Sequence, residues 1–331
     1  MTSDTNLERA RRIAGLRRFA VGITLLNILG HTYFGFEQSP AQPFIALAAA
    51  YCMALIIELS DAWAKKRRPL FIGGVRNTID FFLSAHISGL VVAMLLYAND
   101  RLWVVAFAAA TAIGSKALFR VRIGEGTRHF LNPSSFGMAI TLLVFPWVGI
   151  APPYHFTENL GAIGDWVFPA IIILSGSLVN ARFTRRVPLI LSWIFCFGLQ
   201  AFTRSAINGT PVVAALVPMT GVAFVLFTFY MVTDPATTPS TLKGQVMFGA
   251  AMGAAYSLLV SLHVVFGLFF GLTIVCLLRG VVLYAYARVE SRQGAFRPAS
   301  AEQRFTTGEN EERSGIHVED FTGDEIGRAH V

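Results

Sequence analysis

The sequence predicts an all-α protein, a polytopic membrane helical bundle with about ten transmembrane helices. Three observations carry that expectation. Apolar residues make up 54% of the 331 and charged residues only 14%, and the mean hydropathy is +0.56, a balance that a soluble domain of this length would not tolerate at its surface. Apolar stretches of roughly 17 to 25 residues recur along the chain, each long enough to cross about 30 Å of hydrocarbon. Finally, Lys and Arg gather in alternate connecting loops, as short loops retained on the cytoplasmic side do.

Taken in order, residues 1–17 form a basic cytoplasmic segment leading into the first span, near 18–36. The apolar run from Ile13 to Phe36 is too long for a signal-peptide core and shows no small-residue cleavage site, so it reads as a retained anchor. Further spans are expected near 43–63, 79–98, 102–119, 134–151, 163–181, 187–204, 212–232, 245–262 and 264–287, with only a short turn around His263 between the last two. The membrane domain thus covers 18–288. Gly249 and Gly253 in the ninth span, and Gly267 and Gly271 in the tenth, have the four-residue spacing that lets backbones approach, which predicts a tight antiparallel pair. Residues 289–331 turn abruptly polar and read as a disordered cytoplasmic tail. Its last six residues, 326–331, match one translated frame of a common sequencing adapter and read as an artefact, so His330 carries no functional weight.

Charge sets the orientation. Arg9, Arg11, Arg12, Arg17 and Arg18 precede the first span, Lys65 to Arg68 and Arg76 follow the second, Arg120, Arg122 and Arg128 follow the fourth, and Arg182, Arg185 and Arg186 follow the sixth. The opposite loops hold Arg101 and Arg204. Both termini are therefore expected in the cytoplasm. The bias also accounts for the net charge of +7 without a nucleic-acid partner, leaving membrane lipid as the expected surroundings. Cys52, Cys196 and Cys276 each fall inside a span without paired metal or redox spacing and read as packing residues.

Two polar, turn-forming islands interrupt the apolar pattern, Arg128 to Gly137 and Tyr230 to Pro239. Hydrocarbon cannot solvate open backbone, so such segments line a protein cavity or bind something. In the first, Asn132 suits a helix N-cap and Pro133 the first helical position, with Ser134 and Ser135 adding donors before Gly137. In the second, Asp234-Pro235 repeats the cap-and-proline pattern, and Thr237, Thr238, Ser240 and Thr241 add hydroxyls. Two helix starts facing the same side offer free N–H groups to a phosphate, a carboxylate or the carbonyl and imide edge of a flavin. Ordinary capping of two membrane helices explains the same residues, and chemistry alone leaves both readings open. If one site joins the islands, Asn132 and Asp234 should approach within about 10 Å.

Ionisable residues inside spans are costly and face a partner or a cavity. Glu58 and Asp61 lie one turn apart in the second span, Asp80 opens the third, Arg279 lies well inside the tenth, and His31 and His86 sit within the first and third. A structural Glu58–Arg279 pair is one reading, and a candidate ion path through Glu58, Asp61 and Asp80 is the other. The structural reading is favoured, because no second ring of carboxylates lies deeper in the membrane. There is no nucleophile elbow, P-loop, dinucleotide glycine fingerprint or metal-ligand histidine spacing.

The run Ser115 to Arg120, the segment His129 to Gly137, and Val232 to Pro239 followed by Gly244 and Phe248-Gly249 together resemble the RnfD/NqrB family over roughly residues 75 to 287. These are bacterial inner-membrane subunits of ion-pumping, flavin-carrying electron-transport complexes. Leu142 to Tyr154 and Leu216 to Phe224 are similar to a divergent UnbU-like branch associated with enediyne natural-product biosynthesis. The resemblance implies a redox-carrier subunit with noncovalent riboflavin or FMN held near Lys116, Arg120, Arg128, Asn132, Ser134, Ser135, Gly137, Thr233, Asp234, Thr237 and Thr238. It also implies other membrane electron-transport subunits as partners. One departure counts against covalent FMN: the Ser/Thr-Gly-Ala-Thr attachment motif of the family is missing, and Ser175-Gly176-Ser177-Leu178 lies inside a span. A permease that holds a small polar solute at the same islands is the alternative.

Overall fold

The computed structural model of the chain describes residues 2–123, 126–209 and 211–295. Helices account for nearly all of its regular structure: α1 (Thr2–Leu29), α2 (Gln42–Ala64), α3 (Val75–Leu95), α4 (Leu102–Leu118), α5 (Pro133–Val144), α6 (Gly161–Val179), α7 (Val187–Asn208), α8 (Val212–Leu216), α9 (Val222–Leu226), α10 (Leu242–Ser261) and α11 (Gly267–Ala295). Short π turns extend α1 (Gly30–Phe34), α6 (Asn180–Thr184) and α9 (Phe227–Met231). Two small antiparallel ladders join β1 (Leu96–Tyr97) to β4 (Gly149–Ile150) and β2 (Arg120–Ile123) to β3 (Gly126–His129).

Each of the ten expected spans falls on helix, but their lengths differ. Seven helices are long and apolar enough to cross a membrane, and an eighth crossing is a pair, Val212–Thr220 with Val222–Met231, bent by 67°. Pro218 and the extended backbone of Gly221 (φ −77°, ψ 138°) make that break. Helices α4 and α5 are shorter than a full crossing. The span expected at 134–151 stops at Val144, because Pro146 restricts the residue before it and the chain turns out to pair Gly149 with Tyr97. At the other end of the chain, helix α11 continues through 289–295, where a disordered tail was expected, and the rest of that tail, with the adapter-like 326–331, lies outside the described residues.

The chain through Leu283 is built as two halves on one plan, α1–α5 and α6–α11. Helices α1 and α6 each end in a π turn closed by a left-handed residue, Gly35 and Arg185. A backbone bond of 3.0 Å follows in both, Phe36 N to Gly30 O and Arg186 N to Asn180 O. The next helix in each half carries a proline in its first turn, Pro43 and Pro188. Helix α2 then packs on α4, as α7 packs on α10. The halves are inverted, because α1 and α6 run antiparallel: Arg18 lies over the Phe183 ring at 5.0 Å near one end, and Phe34 meets Phe168 at 4.5 Å near the other. The end that carries Arg18 and Phe183 is called the basic end below.

Packing differs between the halves. The first is Ala-rich, with Ala46, Ala50, Ala108, Ala109 and Ala112 inaccessible, and a Cβ on Gly137 would lie 2.5 Å from Ala108 O and 2.7 Å from Ala112 Cβ. The second is aromatic, with Trp193, Phe197, Phe224, Phe227 and Tyr256 in mutual ring contact. The glycine seams also divide. Gly267 and Gly271 face α10 as expected, whereas Gly249 and Gly253 face α7 at Leu189, Ser192 and Cys196. Four-residue spacing identifies a small-residue face without naming the helix it meets.

Candidate functional site at the basic end

Asn132 organises the first island. Its Oδ1 accepts from Ser135 N at 3.0 Å, which makes it the N-cap of α5 as expected, and from Ser134 Oγ at 3.0 Å. Its Nδ2 donates to Met231 O at 3.0 Å, and the same carbonyl accepts from Asp234 N at 3.4 Å. The two islands therefore meet, and the Asn132 amide and the Asp234 backbone share one acceptor. Ser135 Oγ donates to Phe269 O at 3.1 Å, tying the cap to α11.

The second island is not a second helix start. Asp234 forms a compact turn, with Oδ1 accepting from Ala236 N at 3.0 Å and Oδ2 from Thr237 Oγ1 at 3.3 Å. Thr238 Oγ1 donates to Asp234 O at 2.7 Å, and Thr233 Oγ1 to Phe229 O at 2.6 Å. Helix α10 begins later, at Leu242, and its cap is Thr241, which accepts from Gly244 N at 3.2 Å. Pro239 explains the delay: it lacks an N–H and biases Thr238 away from helix, so a helix opened at Pro235 could not continue.

Of the residues expected here, Asn132, Ser134, Ser135, Thr233, Thr237 and Thr238 are buried, and Asp234 is half-buried. Lys116 reaches α3 instead, donating to Ser84 Oγ at 2.7 Å, while Asp234 lies within its electrostatic reach. Arg120 and Arg128 are exposed on the β2–β3 hairpin, and Arg120 Nε donates to Lys116 O at 2.5 Å. Gly137 serves the α4–α5 contact described above. Two open clefts, one lined by Leu59, Trp63, Arg67 and Pro69 and one by Arg204, Ala215 and His263, lie away from this cluster.

Three participants were not expected from sequence. Asn180 donates to Phe229 O at 2.8 Å and its own carbonyl receives Arg186 N, which links the start of α7 to the second island. Arg279 Nη1 donates to Thr237 O at 2.8 Å, bringing α11 to the same turn. Gln245, in the first turn of α10, donates Nε2 to Ser240 O at 3.2 Å. Each is a polar residue in or beside an apolar run, the one signal that could have marked it.

The expected Glu58–Arg279 pair does not form. Lys66 has a left-handed backbone (φ 50°) that turns the chain back, so Arg67 Nη1 and Nη2 meet Glu58 at 2.6 and 3.0 Å, and Nη2 meets Asp61 Oδ2 at 2.6 Å. Leu70 N closes the set on Glu58 Oε1 at 2.7 Å. The two carboxylates push the Arg67 pKa upward, mainly through these hydrogen bonds. Asp80 pairs separately with Arg17, at 2.8 Å through both of its oxygens. His86 is satisfied on both sides, by Thr24 Oγ1 at 2.7 Å and Tyr51 Oη at 2.6 Å.

No protein-family model matches the chain, and no curated protein sequence matches it.

Proposed function

We propose that the chain is an integral-membrane, flavin-binding subunit of an RnfD/NqrB-type electron-transport complex. The observation that carries this reading is the Asn132–Met231 bond, which draws the two motifs of the resemblance into one buried polar cluster. The cluster fits a flavin in its chemistry, because Gln245 Oε1 is a buried acceptor and Arg186 Nε a buried donor, each without a partner among the described residues. A bound flavin would supply reversible one- and two-electron transfer. The chain's own part would be to orient it: Asn132, Ser134 and Ser135 fix the first turn of α5, and the Asp234 turn with Arg279 closes the other side. Both termini then lie in the cytoplasm of a bacterium, and other electron-transport subunits complete the path. Ion coupling and a role in enediyne biosynthesis follow from the resemblance alone.

The test is an absorbance spectrum of the purified native chain in the flavin bands, followed by a denaturing gel. Flavin should be present in the native protein and absent from the unfolded band, since no attachment motif exists. A fluorescent band would overturn the noncovalent assignment, and a flavin-free native protein from every preparation would overturn the flavin reading. A permease is the second reading, favoured by the inverted halves and the 67° break before the second island. Solute uptake by flavin-free protein would establish it.

A further inference from the structure

Arg186 holds the N-cap position of α7, yet its side chain makes no capping hydrogen bond and, among the described residues, no ion pair. Its side chain begins at a fixed place, because its backbone N–H is held by Asn180 O. It is only 6% exposed, yet its Nε has no acceptor among the described residues. A buried guanidinium with an unmet donor is costly. The inverted half shows that the fold does not need a cation there. At the equivalent position, after the equivalent π turn, stands Phe36, buried and stacked on His155 at 3.7 Å.

A second unmet group lies at the same level. Helices α7 and α10 run parallel, since Gly249 faces Leu189 and Ser192 while Gly253 faces Cys196. One turn back along both helices sets Gln245 opposite Arg186. Gln245 is 3% exposed and its Oε1 receives no donor, so the two groups do not satisfy each other. Charges of both signs act on Arg186. Burial lowers the pKa of Arg186, Asp234 opposes that shift and Arg279 adds to it. Asp234 acts on both Arg186 and Lys116, and its carboxylate already accepts from Ala236 N and Thr237 Oγ1.

We propose that Arg186 anchors a phosphate-ester anion at the basic end, with Gln245 accepting a proton donor of the same ligand and Arg279 supplying the supporting charge. Resting on the flavin reading above, this assignment makes the cofactor FMN rather than riboflavin. Arginine suits the role because its planar fork matches phosphate oxygens. An anionic lipid headgroup and free phosphate present the same chemistry and are separated by experiment.

The purified full chain in detergent is titrated with FMN and with riboflavin, following quenching of flavin fluorescence. FMN should bind at least about tenfold more tightly than riboflavin, the scale of one charge-assisted contact. Arg186→Gln should erase the preference for FMN over riboflavin, whereas Arg186→Lys should keep part of it. Equal affinities in the native protein would overturn the phosphate assignment and leave the flavin reading standing, a comparison that needs no variant to fold. If neither flavin binds, the flavin reading fails and the anion site is decided by thermal stability. Stabilisation by inorganic phosphate, or by phosphatidylglycerol over phosphatidylcholine nanodiscs, each reduced in Arg186→Lys, would identify free phosphate or a headgroup as the source. Absence of both stabilisations would overturn the site.

Discussion

The side-chain amide of Asn132 donates to the Met231 carbonyl at 3.0 Å while its oxygen caps α5 through Ser135 N. One residue thus starts a helix and ties it to the segment that ends the bent α8–α9 span. The two tasks can be separated. Asn132→Ser keeps a capping oxygen but cannot reach Met231, and Asn132→Ala removes both contacts. A lost cap costs about 1 kcal/mol, and a buried hydrogen bond about as much again. Thermal unfolding in detergent should rank native above Asn132→Ser above Asn132→Ala, with Asp234→Ala, which loses only turn bonds, lowered by about 1 kcal/mol. A melting temperature for Asn132→Ser equal to native would show that the Met231 bond contributes nothing.

Orientation is tested independently. Reporters fused after Arg68, Arg122 and Arg186 should read cytoplasm, and those at Glu37 and Thr157 outside. Gly35 approaches Asn159 and Phe36 approaches Phe156, so the two outer sites share one end of the bundle. All five readings inverted would reverse the orientation alone. A split between Arg122 and Arg186 would contradict the assembly of the candidate site.

His155 gives the bundle a pH dependence. It lies in the one-turn helix Pro153–Phe156, is fully buried against Phe36, and has neither ring nitrogen partnered among the described residues. Burial pushes its pKa down from 6.5 to about 4, with His31 adding to the shift. Because the folded value is depressed, the neutral ring's contribution is complete above pH 6.5 and is lost as pH falls toward 4. Melting temperature should drop across that window, and His155→Phe should flatten the profile. An unchanged slope in that variant would place the acid sensitivity elsewhere.

Gly137 separates packing from ligand contact. A Cβ there would collide with the Ala108 carbonyl at 2.5 Å and could be relieved only by moving α4 from α5, so Gly137→Ala should cost about 1–3 kcal/mol. Gly198→Ala meets nothing within 4 Å and should be neutral or stabilising by up to about 1 kcal/mol. Normal melting of Gly137→Ala with flavin binding lost would return Gly137 to the proposed cofactor site.

Much of the site was legible where local chemistry decides. Asn132-Pro133 reads as a helix start because the cap, the missing N–H and the first turn all lie within a few residues. Asp234-Pro235 shows the same local signal and fails, since Pro239 four residues later forbids the helix. Arg186 read only as a loop charge because burial is invisible in composition. In the sequence Arg67 reads as a topology signal, and only the left-handed turn at Lys66 brings it back over Glu58 and Asp61.

The sequence by itself determined that this chain is a bundle of apolar helices, where those helices lie, and that two polar islands interrupt them. Hydrophobic period, proline and capping chemistry act over one or two turns and need no knowledge of neighbours. Tertiary structure alone decided which helices meet, that the halves are inverted, that Gly249 and Gly253 serve α7, and that Asn132, Asp234, Arg186 and Arg279 gather at one end. In hydrocarbon every helix presents the same apolar surface, so partners are chosen by close packing of small residues and by the few polar groups that must find one another.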